Sequence, residues 1–582
     1  MRLDIQALRG FAVLSVILYH LNFSFISGGF LGVDIFFVIS GFVITSSLNH
    51  GTGTFKEQVK AFYLRRAKRI LPASLFVTLA ISVAALIYLP GYSRSRYSIE
   101  ALASSLFSAN LNFAREGNDY LNQSLDPSPF LHYWSLGVEE QFYLLWPILF
   151  LLFFRRNRKL VAPFFIAMSL LGIYLTLSNP VLGFYSPLTR AWEFLAGIFF
   201  ALNPIRFKAP KMWAVFGWIT MIGSTLFITV NDITPGWSTM IPVIATAIII
   251  GANVNLPTRT LLPKLGDYSF SLYLVHWPLI IFLHNKVDII VLTFVLAFLV
   301  TKFVENPFRF NPHFKLSLLQ WGAGLGVLSL ATFSILAIPA DAKSTLNLST
   351  PSIYNNGCHL SFNKSWPDHA CIFGDPKGKK TIYLVGDSHA AQWFEGVNQV
   401  AKQSHLKLVS ITKSSCPTVL IPIIRNHKID SSCSHWQKGI ISEINHHKPD
   451  LVLISAYSEI NYETSLKGDY VQNWRNGLGD FLSQIGSTRV AFLGDTPHSP
   501  INIPSCLSTK KSCDFPLTRT NTTNATMEIF GVNYIDTASW LCSSKCPASS
   551  GGINNYRDAT HISVSASKRL EPQLKKAITS LL

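Results

Sequence analysis

Two short motifs in the C-terminal half of the chain could carry serine-based chemistry. Residues 386–389 read GDSH and follow an apolar run typical of a strand. Near the C-terminal end, Asp558 and His561 lie three residues apart. A serine at the end of a strand needs a base to take its proton, and that base needs a carboxylate to orient it. The motifs therefore indicate a serine nucleophile; the alternative is a coincidental turn and a surface histidine.

A second candidate is the pair Arg9 and His20, which enclose ten mostly apolar residues. On an α-helix, eleven residues turn through about 1100°, so the two side chains share one face, roughly 16 Å apart along the axis. Ionisable groups inside a bilayer are costly and mark candidate functional sites. The alternative is structural: Arg9 reaches the headgroups and His20 makes a contact within the bundle.

Further ionisable residues lie within apolar runs of the N-terminal half or at the ends of these runs. They are Asp34, Arg65, Arg66, Arg69, Glu139, Glu140, Arg190, Glu193 and His276. Each one alone is explained equally well by an ion pair or a snorkelling side chain, and the positive-inside rule alone would produce the cluster 65–69. Together they predict a polar cavity within the bundle, because buried charges need partners or water.

The composition indicates a multi-pass membrane protein. Only 14% of the 582 residues are charged and 13% are aromatic, which is unusual for a soluble chain. Eleven apolar runs have near-spanning length, at about 6–24, 30–48, 73–90, 137–154, 162–178, 185–203, 212–230, 238–253, 268–285, 288–304 and 317–339. A twelfth segment, 100–115, is short and polar, and we predict that it does not cross.

The basic residues indicate the orientation of the membrane domain. Much of the net charge of +17 falls in short loops between apolar runs, so it argues for membrane topology rather than for a nucleic-acid partner. With eleven crossings the basic loops share one side, which the positive-inside rule makes cytoplasmic. We predict a cytoplasmic N-terminus and an external location for everything after about residue 340. No small-residue cleavage site follows the first run, which is therefore expected to be a span and not a removed signal peptide.

All eight cysteines lie after residue 357. An even number in a polar external segment suggests disulfides in an oxidising compartment. Eight cysteines allow 105 pairings, and we predict neighbour pairing: Cys358–Cys371, Cys416–Cys433, Cys506–Cys513 and Cys542–Cys546. Free or zinc-binding thiols are the alternative, although no paired CxxC pattern supports zinc.

The C-terminal part alternates strand-like and helix-like segments. Strands are predicted at 381–387, 407–412, 450–456 and 489–495, and helices at 390–403, 472–486 and 564–581, which favours an α/β domain with a parallel sheet. The predicted architecture is a multi-pass helical membrane domain of about 11 transmembrane helices followed by an extracytoplasmic α/β domain. Its segments are 1–310 with ten spans, 311–340 as the eleventh helix, 341–374 as a linker and 375–582 as the α/β domain.

Five motifs in the order Arg9-x10-His20, GVDIFFVISGF, RRAKRILP, SLGVEEQFYLLWP and RAWEFLAG resemble the membrane acyltransferase-3 family over about residues 1–310. The resemblance implies transfer of an acyl group, usually acetyl, from cytoplasmic acetyl-CoA to a sugar handled outside. It implies that His20 is catalytic. It implies donor-binding roles for Arg9, Arg65, Arg66 and Arg69, and a supporting polar network of Asp34, Glu139, Glu140, Arg190 and Glu193. Acetyl-CoA is expected as donor, with no permanently bound cofactor and no metal.

Residues 375–582 resemble the SGNH hydrolase family through GDSH and Asp558-x-x-His561. The resemblance implies that Ser388 is the nucleophile, His561 its base and Asp558 the carboxylate that orients the base. The family's G-x-N-D block is missing: where it should follow the strand at 450–456, the chain has Tyr457, Ser458 and Asn461. We therefore expect an oxyanion hole that is incomplete or rebuilt.

The fusion of these two domains resembles bacterial O-antigen acetyltransferases. It implies a multi-pass inner-membrane protein with a periplasmic C-terminal domain, which acetylates a hydroxyl of a surface glycan, most specifically an undecaprenyl-linked lipopolysaccharide O-antigen unit. The expected partners are acetyl-CoA, the glycan and membrane lipid, with no nucleic acid; the oligomeric state is left open.

Several alternatives remain open at this stage. The acceptor could be peptidoglycan or another exopolysaccharide, since a related fusion in Gram-positive bacteria acetylates peptidoglycan. The membrane domain could complete the transfer while the external domain only binds or deacetylates glycan. A third alternative is a transporter joined to a deacetylase.

Overall fold

The chain folds into two compact units that divide at about residue 340. The computed structural model describes residues 2–89, 94–115, 128–178, 180–205, 207–229, 236–254, 260–283, 285–310, 318–337, 349–362, 364–425, 428–458, 462, 464–509, 512–519, 521–529 and 533–582. We call the unit before about residue 340 the helical unit and the unit after it the α/β unit.

The helical unit contains fifteen described α-helices. They are α1 (Leu3–His20), α2 (Gly32–Asn49), α3 (Phe55–Tyr88), α4 (Arg94–Ser105), α5 (Ala109–Arg115), α6 (Tyr133–Leu149), α7 (Val161–Ser178), α8 (Pro180–Tyr185), α9 (Pro187–Leu202), α10 (Pro210–Phe227), α11 (Trp237–Ala252), α12 (Leu261–Phe282), α13 (Lys286–Val300), α14 (Asn306–Phe310) and α15 (Leu318–Ala337). Single π-helical turns continue α6 over Phe150–Phe154 and α13 over Thr301–Glu305.

Each of the eleven apolar runs overlaps a helix, and the polar segment 100–115 forms the short helices α4 and α5. Within the described residues, six helical stretches are long and apolar enough to cross a membrane: Leu3–His20, Gly29–Asn49, Phe55–Tyr88, Tyr133–Phe154, Arg158–Thr176 and Lys286–Phe310. A helical membrane-type unit is thus confirmed. The count of eleven crossings and the cytoplasmic N-terminus stay predictions.

The outer surface of the helical unit is apolar. Large hydrophobic side chains exposed on its helices include Leu144, Ile166, Leu170, Ile219, Phe227, Val287 and Phe303. A soluble protein rarely exposes so much apolar surface. In a bilayer the same side chains face lipid, while the helices satisfy their own backbone groups.

Two pairs of helices approach until their backbones touch. A Cβ added to Gly10 in α1 would lie 2.1 Å from a backbone oxygen of α12, and one added to Gly266 in α12 would lie 2.0 Å from a backbone oxygen of α1. Gly41 in α2 and Gly197 in α9 make the same reciprocal contact. Because small residues let membrane helices pack this closely, these pairs are fixed along their length.

The α/β unit contains a seven-stranded sheet and three small two-stranded sheets. The strands are β1 (His359–Leu360), β2 (Ile372–Gly374), β3 (Lys380–Gly386), β4 (Leu406–Lys413), β5 (Ile424–Arg425), β6 (Lys428–Ile429), β7 (Leu451–Ser455), β8 (Val490–Leu493), β9 (Phe515–Pro516), β10 (Asn533–Ile535), β11 (Lys545–Cys546), β12 (Ser549–Ser550) and β13 (Ile553–Asn554). The main sheet runs β1-β4-β3-β7-β8-β10. All its pairs are parallel except β2, which lies antiparallel on β4. The predicted parallel sheet is confirmed.

The helices of the α/β unit pack around this sheet. They are α16 (Ser388–Ala391), α17 (Phe394–Gln403), α18 (Ser431–His447), α19 (Tyr470–Gln484), α20 (Ile503–Thr509), α21 (Asn521–Met527), α22 (Ala538–Leu541), α23 (Val564–Arg569) and α24 (Glu571–Thr579). Sequence analysis predicted β3, β4, β7, β8 and the helical segments 390–403, 472–486 and 564–581, but it missed α18 and β10. Helix α18 had a usable signal, because Trp436, Ile440 and Ile444 recur at helical spacing and are fully buried.

The four disulfides join neighbouring cysteines, as predicted: Cys358–Cys371, Cys416–Cys433, Cys506–Cys513 and Cys542–Cys546. This pairing leaves none of the eight thiols for zinc. Each bridge closes a short loop, so together they restrict the long connections that lie outside the sheet.

The turn before Ser388 depends on Gly386, the last residue of β3. Its φ of +145° is unfavourable for residues with a side chain. A Cβ added there would lie 1.9 Å from the carbonyl oxygen of Ser455 in β7. The chain can therefore turn from β3 toward Ser388 in this way only if position 386 is glycine.

We predict that Gly386→Ala destabilises the α/β unit by about 3 kcal/mol or more, through backbone strain and overlap with β7. Gly479→Ala is the matched control, because Gly479 lies on the exposed side of α19 with no atom within 4 Å of an added Cβ. We expect it to be neutral or stabilising by up to about 1 kcal/mol. The loss of protease resistance after graded heating of the full-length protein gives a melting temperature for each variant. Equal melting temperatures for Gly386→Ala and Gly479→Ala would contradict the prediction.

Candidate active sites

Ser388 begins helix α16 immediately beyond the carboxyl end of β3. Asp387 caps this helix by accepting the backbone N–H of His389 at 2.8 Å. Its second oxygen accepts the N–H of Tyr457 at 2.8 Å and the hydroxyl of Tyr462 at 2.6 Å. The GDSH turn is thus tied to the segment after β7, and the hydroxyl of Ser388 lies at the sheet edge where crevices of parallel sheets form.

The structure brings the three predicted triad residues together. Nε2 of His561 lies 2.9 Å from Oγ of Ser388, and Nδ1 of His561 lies 2.9 Å from Oδ2 of Asp558. The other oxygen of Asp558 accepts the backbone N–H of His561 at 2.6 Å. The loop is also tied to the helical segment after the nucleophile, because the N–H of Ile562 donates to Oε1 of Gln392 at 2.8 Å. This is the hydrogen-bond chain of a nucleophile, a base and an orienting carboxylate.

The electrostatic surroundings favour a charged Asp558 and a neutral His561. Burial raises the pKa of Asp558, but hydrogen bonds from His561 and the positive charge of Arg557 outweigh it, so the net pKa lies well below its usual value. Burial lowers the pKa of His561 most, the charge of His389 lowers it further, and Asp558 raises it; the result is about 4. At neutral pH His561 is therefore a free base that can accept the serine proton.

The position of the missing G-x-N-D block is filled differently. The backbone N–H of Tyr457 donates to Asp387, and that of Ser458 donates to Oδ2 of Asp495 at 2.9 Å. Neither of these two backbone groups is left to bind an oxyanion. Asn461, which sequence analysis considered, lies outside the described residues.

Sequence analysis missed a second histidine–carboxylate pair beside the triad. Nδ1 of His389 lies 2.6 Å from Oδ1 of Asp495, and both side chains are almost completely buried. Asp495 follows the end of β8, so it reaches the same sheet edge as Ser388. An acidic residue at the end of a strand in a parallel sheet was the signal that could have found it.

In the helical unit, many of the predicted polar residues gather around a cavity with about 820 Å³ of empty space, part of which is open to solvent. Arg9, Arg66, Arg69, Glu139 and Glu140 all line it. Arg65 does not line this cavity and is exposed. The cluster 65–69 therefore divides between two faces of α3.

Glu139 is the best-connected carboxylate of the cavity. It accepts hydrogen bonds from the hydroxyls of Ser40 and Tyr143. The guanidinium of Arg66 lies over the ring of Tyr143, 4.2 Å from its centroid. These contacts orient the side chains of the lining, which has an excess of cations because three arginines face two glutamates.

Asp34, Arg190 and Glu193 form a separate cluster that does not line the cavity. Nη1 of Arg190 lies 2.8 Å from Asp34 and 2.9 Å from Glu193. All three side chains are fully buried, where α2 and α9 are in contact through Gly41 and Gly197. This arrangement matches the structural alternative, an ion pair that holds two helices together.

His20 lies at the end of α1 and pairs with a second histidine. Nδ1 of His20 is 3.0 Å from Nε2 of His276, whose Nδ1 is 2.7 Å from the carbonyl oxygen of Tyr273. A carbonyl only accepts, so for neutral rings Nδ1 of His276 carries the proton and its Nε2 accepts from His20. The chain of bonds thus leaves the lone pair of His20 on Nε2, the form of a base.

His132 adds a third imidazole that sequence analysis did not select. Its ring centroid lies 5.9 Å from that of His276, and its Nε2 bonds the carbonyl oxygen of Leu274 at 3.0 Å. The hydroxyl of Tyr273 donates to the carbonyl oxygen of His132. Tyr273 also lines the cavity, so one residue contacts both the arginine-lined space and the histidine cluster.

Comparison with protein families gives two matches. Residues 2–304 match the model of an acyltransferase domain, and residues 357–576 match that of an SGNH domain fused to such domains.

Curated relatives and one solved structure are also similar. Peptidoglycan O-acetyltransferase OatA of Listeria monocytogenes is 31% identical over 347 residues, 53% of this chain and 56% of that protein. O-acetyltransferase OatA of Staphylococcus aureus is 34% identical over 346 residues, 52% of this chain and 57% of that protein. The chain thus spans little more than half the length of these relatives. The periplasmic domain of a lipopolysaccharide acetyltransferase from Salmonella ser. Paratyphi A is 18% identical, with 35% of this chain and 86% of that domain covered, at a TM-score of 0.30.

That last score is too low to support an argument, and the family assignment rests on the domain models. Since the acyltransferase model alone covers residues 2–304 of 582, the chain belongs to the acyltransferase-3 family, as a member that carries a C-terminal SGNH domain.

Proposed function

We propose that this protein is an O-acetyltransferase that moves acetyl from acetyl-CoA to a hydroxyl of an extracytoplasmic glycan. The observation that carries the proposal is the chain of two 2.9 Å contacts from Ser388 through His561 to Asp558, in a member of an acyltransferase family. A domain that only bound glycan would have no need for a neutral base held against a serine hydroxyl.

The serine step is a double displacement. Oγ of Ser388 attacks the acetyl carbonyl while its proton passes to Nε2 of His561. The bond from the carbonyl carbon to the leaving group breaks, and that group takes the proton. A glycan hydroxyl then attacks the acetyl-serine and gives its own proton to His561. Acetyl ends on the glycan, and the proton returns to Oγ.

The cavity of the helical unit suits the donor. Coenzyme A carries phosphates, and guanidinium groups bind phosphate oxygens in pairs while staying charged. Arg9, Arg66 and Arg69 offer that chemistry, with Glu139 and Glu140 limiting the excess of positive charge. His20, with its lone pair on Nε2, would take a proton or carry the acetyl group.

For the acceptor, we propose a lipopolysaccharide O-antigen unit, handled at the outer side of a bacterial inner membrane. The four disulfides support an oxidising compartment such as a periplasm. Peptidoglycan is the second candidate, because the Listeria relative is named a peptidoglycan O-acetyltransferase.

We predict that Ser388→Ala lowers transfer of label from radiolabelled acetyl-CoA to glycan about 10³-fold in inside-out vesicles, because the acceptor of acetyl is lost. Ser434→Ala, in α18, is the control and should retain transfer. Separating the lipopolysaccharide and peptidoglycan fractions identifies the acceptor. Full labelling by Ser388→Ala would show that the serine is dispensable, and absence of label in the wild type would favour a deacetylase.

The pH profile should report the pKa of His561. Because that pKa is lowered to about 4, the base stays neutral above this pH and protonates below it. We predict that kcat/KM of the full-length protein for a phenyl acetate ester holds between pH 8 and 5 and falls as the pH drops through about 4. Release of the phenol, measured by chromatography after subtraction of the Ser388→Ala background, tests this. An acid limb near 6.5 would contradict it.

We predict that His276→Phe lowers label transfer about 10²-fold, because it keeps a ring against His20 but removes the acceptor of the Nδ1 proton. His276→Gln, which restores an acceptor oxygen, should recover part of the rate. His50→Phe, at an exposed position, is the control. Ester hydrolysis at Ser388 should stay within about twofold in all three, because these residues belong to the helical unit and Ser388 to the α/β unit, and residues without shared partners act independently. Loss of both activities would indicate misfolding instead.

A further inference from the structure

The pair His389–Asp495 lies directly against the triad base. The ring centroid of His389 is 4.3 Å from that of His561. The same ring is stacked on Tyr457, with centroids 4.3 Å apart and planes 13° apart. Asp495 holds Nδ1 of His389 at 2.6 Å. His561 therefore has Asp558 at its Nδ1 and the imidazole of His389 beside its ring.

Asp495 is itself held by several donors. Besides His389, it accepts the backbone N–H groups of Ser458 at 2.9 Å and Thr496 at 2.8 Å. Nε2 of His498 lies 3.4 Å from its Oδ2. A carboxylate with this many donors stays charged and fixed inside the protein. The 2.6 Å separation between Nδ1 of His389 and Oδ1 of Asp495 is a hydrogen-bond distance.

The charges around His389 come from four segments. Its own turn contributes Asp387, the segment after β8 contributes Asp495 and His498, the segment after β7 contributes Tyr457, and the loop before α23 contributes His561 with Asp558 behind it. Burial lowers the pKa of His389, but the carboxylates, Asp495 above all, outweigh burial, and the net pKa is raised. Carboxylates thus outnumber cations around this ring.

We propose that His389 is a positioning residue which Asp495 holds as an imidazolium, and which keeps the neighbouring His561 in its neutral, proton-accepting form. The inference rests on the proposed role of Ser388 as nucleophile. Two adjacent buried imidazoles cannot both carry a charge cheaply, since like charges a few ångströms apart repel strongly in a low dielectric. The proton is therefore stored on His389, whose partner is Asp495, and His561 remains free for the proton of Ser388.

The same cation bears on the missing oxyanion donor. Attack by Ser388 creates negative charge on the acetyl oxygen, and a fixed positive charge near the base stabilises it even without direct contact. His389 follows the nucleophile by one residue, and its position is set by the same turn. The positive charge of His389 would thus supply part of the oxyanion stabilisation that the G-x-N-D asparagine provides in the SGNH family.

The test measures how fast a sulfonyl fluoride modifies Ser388, because this reaction needs the serine and its base but neither acetyl-CoA nor glycan. Full-length protein in detergent is treated with methanesulfonyl fluoride between pH 3.5 and 8, and the adduct on the Ser388 peptide is counted by mass spectrometry. The variants are His389→Asn, which keeps an amide for Asp495, and Asp495→Asn, which is isosteric and removes the charge. Ser434→Ala is the control, because Ser434 lies in α18 and its hydroxyl donates to the carbonyl oxygen of Asp430.

In the wild type and in Ser434→Ala we expect the rate to fall below about pH 4. In His389→Asn and Asp495→Asn the acid limb should move up by at least one pH unit, so that the rate at pH 5 falls to about half of the rate at pH 8 or less. Residual modification at pH 8 shows that each variant is folded.

The two possible failures are distinguishable. If both variants lose rate equally at every pH, the pair is only structural and this inference is overturned. If wild-type Ser388 does not react at all, the proposed nucleophile itself is wrong.

Discussion

A buried imidazole can act as a base only when something fixes which of its nitrogens carries the proton. Both candidate sites meet this constraint, by different means. In the α/β unit, the carboxylate of Asp558 accepts from Nδ1 of His561 and leaves Nε2 facing Ser388. In the helical unit, where a free carboxylate would be costly, a second histidine and a backbone carbonyl do the same for His20. In each unit, the surrounding fold holds the histidine and its hydrogen-bond partners in place.

In each unit, close contact between backbone segments keeps these partners in place. Helix α1 carries His20 and α12 carries His276, and Gly10 and Gly266 bring these two helices together without intervening side chains. In the α/β unit, Gly386 allows the chain to turn against β7, and adjacent parallel strands deliver Ser388, Tyr457 and Asp495 to one edge. Close backbone packing limits the movement of these candidate groups, which matters because small displacements of reacting groups lower rates steeply.

Contacts between residues that lie close together along the chain could be predicted from the sequence, whereas contacts between residues far apart could not. The triad was found because its members lie in two compact motifs, and the disulfides because each links nearest neighbours. The pairs His389–Asp495 and His20–His276 are separated by 106 and 256 residues, and nothing local marks either pair. Their contacts follow from strand order and from which face of α1 meets α12, and only a packed structure fixes these. Likewise the run at 65–69 showed cations but not which face of α3 borders a cavity.

The two ionic clusters of the helical unit show how burial alone fails to separate structure from chemistry. Nη1 of Arg190 contacts Asp34 and Glu193, and its Nε donates to the carbonyl oxygen of Phe184, so this guanidinium is buried in an ion pair away from the cavity. Arg66 faces a ring and an open space, so its donors can still bind a ligand. Both would appear in sequence as charges within apolar runs. What differs is access: Arg190 is buried between two carboxylates away from the cavity, whereas Arg66 lines the cavity beside the ring of Tyr143.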